Sequence, residues 1–169
     1  MLNDDTPVTD WDNIFFLEAT LWSRRSHDGQ TQCGCVLVKN KTNISSGYNG
    51  FIRDIDDRSL PSVRPEKYPF MIHAEANVIY NAARNGQSTI NTRAYITSAP
   101  CLQCLQMLYQ CGVKEIVFSD ISSPKMNIWN SGYNQILKLI GDKIKLRFIP
   151  KTSLDTEFLL ESVEKITKM

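Results

Sequence analysis

Four side chains concentrate the reactive chemistry of this 169-residue chain. His73 and Glu75 stand two positions apart, Cys101 and Cys104 three apart, and Pro100 directly precedes the first cysteine. One imidazole and two thiolates supply three of the roughly four nitrogen and sulfur ligands that tetrahedral zinc prefers. A fourth cysteine or histidine would close a structural site, whereas three protein ligands leave a position for water, as in catalytic sites. Zinc in such a site lowers the pKa of a water it holds to about 7. Glu75 is next to the ligand histidine and is not needed as a ligand, so it is placed to carry protons. Taken singly, Cys-x-x-Cys also serves structural zinc or a redox pair, and His-x-Glu means little. Both together, 28 residues apart from His73 to Cys101, favour the catalytic reading.

Two helix starts must hold these groups. Residues three apart share a helix face, which puts Cys101 and Cys104 side by side. Pro100 suits the entry to that helix, where no amide donor is lost. Free amides and the dipole at a helix N-terminus favour thiolates. His73 and Glu75 would diverge in mid-helix, but in a first turn both can face a site beyond the helix end.

The remaining pattern predicts the frame. Thr9 or Asp10 caps a helix with apolar residues Trp11, Ile14, Phe15, Leu17, Leu21 and Trp22 near helical spacing. Strands are expected at 33–38 and 44–48, forming a hairpin around the turn 39–43. Residues 51–72 hold three prolines and many charges and read as a long ordered loop. A helix over 73–84 would bury Ala74, Val78, Ile79 and Ala82. A strand at 93–98 follows, then a helix at 101–111 ending near Gly112. Further on come a strand at 115–119, a helix at 127–140 before Gly141, and a strand at 145–149. Thr152 to Asp155 matches a start signal for a last helix. This order predicts a single α/β domain over residues 1–169, a three-layer α/β/α arrangement with a central mixed sheet of about five strands.

Composition narrows the partners. A formal net charge of +1 lacks the basic face that binding a nucleic-acid polymer requires. No apolar run reaches the roughly 18 residues that span a membrane, so no membrane partner is expected. The N-terminal MLNDDTPVTD is acidic and polar, unlike a signal peptide. With five cysteines in such a chain, reduced thiols or metal ligands are expected over disulfides. The expected compartment is the cytoplasm.

H-x-E followed by P-C-x-x-C is an established signature of zinc deaminases. The chain resembles the deoxycytidylate deaminase family, within the cytidine deaminase-like fold, from about Trp22 to about Ser119. The resemblance is carried by 31–38 (TQCGCVLV), 46–50 (SGYNG), 64–68 (RPEKY), 73–77 (HAEAN) and 79–86 (IYNAARNG); the C-terminal third matches only in pattern. It implies hydrolytic removal of the exocyclic amine at C4 of a cytosine ring, with dCMP as substrate and dUMP and ammonia as products. In that reaction Glu75 takes a proton from the attacking water, protonates N3 and then the departing amine. His73, Cys101 and Cys104 would hold one catalytic Zn2+. Asn49 would hydrogen-bond the sugar or base edge, though Asn49-Gly50 also suits a plain turn. Backbone at Ala74, Ser98 and Ala99 would line the base pocket. Ser23, Arg24 and Arg25 would sit near the phosphate, which an arginine can grip with two prongs.

The resemblance also implies regulation and assembly. Family members are commonly hexamers activated by dCTP and inhibited by dTTP, and a homohexamer is expected here. The regulatory site would include Asn49, Gly50, Phe51, Arg53, Asp56, Asp57, Arg58, Arg64 and Lys67, with Mg2+ accompanying the bound triphosphate. The product would supply dUMP for thymidylate synthesis. Some members carry a second zinc in this insertion, but residues 51–72 contain neither cysteine nor histidine, so one zinc per chain is expected. Cys33, Cys35 and Cys111 read as ordinary buried thiols. The competing readings are a related deaminase acting on another cytosine compound or on adenosine in tRNA, and a catalytically silent zinc or nucleotide-binding protein. Retention of Glu75 argues against the silent one.

Overall fold

The computed structural model describes residues 6–120 and 131–155, together with 157, 161, 164 and 165. Its frame is one five-stranded sheet, β1 (Gly34–Lys39), β2 (Thr42–Tyr48), β3 (Arg93–Ile96), β4 (Glu115–Phe118) and β5 (Lys145–Phe148), in the order β2-β1-β3-β4-β5. β1 runs antiparallel to both β2 and β3, while β3, β4 and β5 are mutually parallel. The helices are α1 (Asp10–Ser23), α2 (Ala74–Arg84), α3 (Leu102–Gln110) and α4 (Ser131–Ile140).

Strand alternation sorts the core into two layers. Cys35 and Leu37, Ala94 and Ile96, and Ile116 and Phe118 point to one face, where they meet Ala74 and Val78 of α2, Leu105 and Leu108 of α3, and Tyr133 of α4. Val36, Val38, Tyr95 and Val117 point to the other and pack on Phe15, Phe16 and Ala19 of α1. All these strand residues are buried on a sheet covered on both sides, which makes their sequence read as apolar runs. The α/β/α layering expected from the element order is the one observed.

The helix starts are set by local chemistry. Thr9, not Asp10, caps α1: its hydroxyl accepts from Asp12 N, and Asp12 Oδ2 returns a bond to Thr9 N at 2.8 Å. The apolar residues that fall near helical spacing in α1 are buried only in part. Trp11, Leu21 and Trp22 are exposed, and Phe16, Ala19 and the polar Asp12 take the buried side. Asp12 can be there because Tyr95 and both terminal nitrogens of Arg147 bond its carboxylate at 2.9–3.0 Å. Where the start signal for a last helix lies, Lys151–Ser153 forms a short 3-10 turn with Leu154 buried behind it, and most of residues 156–169 lie outside the described residues. Of the helix expected at 127–140, residues 131–140 are helical and 127–130 lie outside the described residues.

β2 lies at the sheet edge and is held closely by α2. A Cβ on Gly47 would stand 2.4 Å from Val78 N and 2.7 Å from Ala74 O, so only glycine admits this approach. Two outward carbonyls of β2, those of Ser46 and Tyr48, accept from the side-chain amides of Asn81 and Asn77, each at 2.8 Å. The first turn of α2 is thereby fixed against the sheet.

Candidate metal centre and active site

The site forms where several strand ends converge. Thr97, just past β3, donates its amide to Gly34 O (3.1 Å) and accepts from Gly34 N at its hydroxyl (3.0 Å). Gly50, just past β2, makes an antiparallel bridge with Ile72, through backbone bonds of 3.0 and 2.8 Å. That bridge delivers the chain to His73. Ligands commonly gather at the carboxyl ends of parallel strands.

His73 and Cys101 are the N-cap residues of α2 and α3, with extended backbone (φ −68°, ψ 154° and φ −69°, ψ 169°). Neither side chain caps its own helix, so both point past the helix ends. His73 Nδ1 lies 3.6 Å from Cys101 Sγ and 3.4 Å from Cys104 Sγ. The three ligand atoms all lie within 4.8 Å of one another, and this is the one such metal-binding group among the described residues. Zinc bonds of about 2.3 Å to sulfur and 2.0–2.1 Å to nitrogen give a tetrahedral nitrogen-to-sulfur edge of about 3.5 Å. The cluster therefore fits zinc. Glu75, buried at 5% exposure, stands beside the ligands and is not one of the three.

The electrostatics divide the two thiols. Hydrogen bonds from the Cys104 thiol and from His73 hold the Cys101 thiol down to about 4 against the opposing effect of burial. Cys104, donor to Cys101 and itself buried, is pushed far up; metal binding requires that proton to leave. The His73 imidazole is raised by its bond to Cys101 against desolvation. Burial pushes the Glu75 carboxyl up, although His73 and its own backbone amide pull the other way. An elevated carboxyl in a metal cleft suits a group that must both gain and lose a proton near neutrality.

The structure places the other expected residues as follows. Ala74 is fully buried in the first turn of α2, and Ser98 and Ala99 form the link from β3 to Cys101. Asn49 comes beside the site through the Gly50–Ile72 bridge, with its amide bonded to Cys33, Thr31 and Asp28. Ser23 is buried and donates to Thr20 O, Arg24 donates to Gln32, and Arg25 is exposed. Ser23, Arg24, Asp28 and Thr31 help to line a cavity of about 380 Å³.

In the long loop, Arg58 pairs with Asp56 next to it (3.2 Å), and Asp57 lies 3.1 Å from His27 Nδ1. Phe51 packs on the His27 ring at 4.1 Å. Arg53 donates to Asn81 and Arg64 to Thr31. Lys67, expected in the regulatory loop site, is 3% exposed, with Nζ 2.5 Å from Asp28 Oδ2.

Sequence reasoning missed Asp28 and Tyr133. Asp28 stands in a polar stretch where nothing marks it as buried. Tyr133 of α4 is 1% exposed, and its hydroxyl is raised by burial and by the charges of Cys101, Glu75 and Cys104. A tyrosine in an amphipathic helix gives no sign of which neighbour it meets.

With this geometry in place, the likenesses to known proteins are informative. Residues 9–120 match the family model described as the cytidine and deoxycytidylate deaminase zinc-binding region. The chain belongs to the cytidine and deoxycytidylate deaminase family, whose members are hydrolytic, zinc-dependent enzymes. It is 30% identical over 161 residues to a probable deoxycytidylate deaminase of Drosophila melanogaster, covering 88% of this chain and 77% of that one. The deoxycytidylate deaminase of Homo sapiens is 33% identical over 116 residues, covering 64% of each chain. The cyanophage S-TIM5 dCMP deaminase, solved in complex with dCMP and dUMP, superposes with a TM-score of 0.66 at 21% identity, covering 84% of this chain and 99% of that one. That superposition shows the shared fold. No described helix is long and apolar enough to cross a membrane.

Proposed function

We propose that this chain hydrolyses dCMP to dUMP and ammonia. The observation that carries this reading is the buried Glu75 beside the His73, Cys101 and Cys104 cluster, in a chain whose curated relatives include deoxycytidylate deaminases.

His73 Nδ1 and the thiolates of Cys101 and Cys104 would hold a zinc ion, which when bound would acidify water and supply Lewis-acid chemistry to the site. Glu75 takes a proton from the attacking water and hands it to N3 of the cytosine. It then takes the second proton from the hydroxyl now on C4 and gives it to the amine, which leaves as ammonia while the C4 carbonyl forms. Its burial excludes competing water, and its raised carboxyl pKa lets it act in both directions. Backbone at Ala74, Ser98 and Ala99 borders the base, Asn49 hydrogen-bonds the sugar or base edge, and Ser23, Arg24 and Arg25 serve the phosphate end beside the 380 Å³ cavity.

The finer reading extends to control. The chain forms a homohexamer in the cytoplasm, responds to dCTP as activator and dTTP as inhibitor, and supplies dUMP for thymidylate synthesis. The exposed Trp22, stacked on Tyr48 at 6.4 Å, and the exposed Leu21 and Tyr80 offer apolar surface for such assembly. Within the 51–72 loop, Arg53, Arg58 and Arg64 remain exposed and able to meet a triphosphate, which would bring any Mg2+ with it.

The deciding experiment is ultraviolet-monitored turnover of dCMP by zinc-loaded protein, with and without dCTP and dTTP. Conversion to dUMP that rises with dCTP and falls with dTTP supports the reaction and its control together. Turnover indifferent to both removes the regulatory reading, and no turnover of dCMP removes the substrate assignment.

A further inference from the structure

The bonds around Asn49 decide which half of its amide a ligand can reach. Both hydrogens of Nδ2 are spent, one on Thr31 O (2.8 Å) and one on Asp28 Oδ2 (3.3 Å). Oδ1 accepts from Cys33 N at 2.7 Å, using one of its two lone pairs. What remains is a single acceptor. Asn49 is 6% exposed, and the antiparallel Gly50–Ile72 bridge sets it opposite His73.

Asp28 joins Cys33 N and Thr31 O in fixing that orientation, and Lys67 holds Asp28. The Asp28 Oδ1 accepts from the amides of Gln30 (2.8 Å) and Thr31 (3.0 Å), and its Oδ2 from Asn49 and from Lys67 Nζ. All four acceptor positions are filled. The Lys67 and Asp28 side chains are 3% and 2% exposed, although they come from two polar loops. A well-packed apolar pair would tether those loops equally well, so tethering alone does not require the charges. A carboxylate does what an apolar group cannot. It accepts only, and so adds to Thr31 O and Cys33 N in turning the nitrogen of the Asn49 amide towards it and the oxygen away.

We propose that Lys67 and Asp28 are positioning residues for Asn49, holding its amide so that the site selects a ligand presenting a hydroxyl donor. On a 5′-phosphorylated deoxyribose the one remaining hydroxyl is the 3′-hydroxyl. This rests on the reading of Asn49 as a contact to the substrate's sugar.

The test compares dCMP with its 2′,3′-dideoxy analogue on zinc-loaded protein, reading kcat and KM separately. The parent protein is expected to prefer dCMP by at least about tenfold in kcat/KM, the scale of one buried hydrogen bond. In Lys67→Met that preference should collapse to within about twofold, chiefly through KM for dCMP, with zinc content unchanged; Lys67→Arg should restore much of it. Should Lys67→Met prove insoluble, Asp28→Asn combined with Lys67→Met leaves no lone buried charge and should show the same collapse. A Lys67→Met protein that melts earlier yet keeps the full preference would overturn the proposal, leaving the pair a tether. A parent protein that turns over both nucleotides equally would overturn it through Asn49. Failure of the parent to turn over dCMP at all would instead sink the substrate reading, and this proposal with it.

Discussion

Two of the molecule's buried carboxylates, Asp12 and Glu75, are treated in opposite ways. Beneath α1, Asp12 receives bonds from the Thr9 backbone, Tyr95 and Arg147. Burial would raise its pKa, but Arg147 and these other donors hold it below the ordinary carboxylate value. At the strand ends, Glu75 is equally hidden and has no cation of that kind, so burial prevails and its pKa is raised. The same desolvation acts on both. With partners it yields a fixed charge that joins α1, β3 and β5; without them it yields a carboxyl ready to exchange a proton.

The strongest way to sharpen that contrast is to remove each carboxylate's function. Glu75→Ala should lower turnover by about 10²- to 10⁴-fold, the usual scale for general acid–base catalysis. Its zinc content, read by metal analysis, should stay at that of the parent protein; loss of zinc would make Glu75 a ligand and break the comparison. Arg147→Met should leave a lone buried charge at Asp12 and destabilise the fold by about 3–5 kcal/mol in a urea titration. Activity per folded, zinc-loaded molecule should not change.

The pH dependence of stability separates the two sites by sign. Asp12 has a folded pKa below its unfolded value of about 3.9. The stability it contributes is thus fully present above that value and lost as pH falls through the lower, folded pKa. Glu75 in metal-free protein has the opposite sign: its raised pKa costs stability above the unfolded value of about 4.3, and acidification through the folded pKa relieves that cost. Urea midpoints taken from neutrality down to about pH 3 should fall less steeply in Arg147→Met than in the parent. Equal slopes would show that Arg147 does not set the Asp12 charge. The smallest effect expected is at the start of α1, where Thr9→Ala removes the hydroxyl's bonds with Asp12 N and Asp12 Oδ2 and should cost about 1 kcal/mol with activity intact.

How far these features were legible in the sequence depended on what signals them. Strand alternation between apolar positions, as in 35–38 and 94–96, placed all five strands to within about two residues, because both sheet faces are covered and the runs stay apolar. The spacing of His73, Cys101 and Cys104 was enough to predict a metal cluster, since helix starts fix short-range geometry. What stayed hidden was long-range pairing. Asp12 meets Arg147 across 135 residues and Asp28 meets Lys67 across 39, and each looks like a solvated charge in its own segment. For the same reason the apolar spacing of α1 does not give its buried side: Trp11 and Trp22 fall on the apolar pattern but are exposed, and buried Asp12 sits on the core-facing side with its distant partners.

The covering of β2 has a consequence for how the protein behaves at high concentration. An edge strand with free carbonyls is a template on which other chains can add strands and aggregate. Here the acceptors at Ser46 and Tyr48 are already taken by the Asn81 and Asn77 side chains. A strand from another copy would have to displace two amides to register there. The helix that carries Glu75 towards the metal cluster thus also shields the sheet from uncontrolled growth.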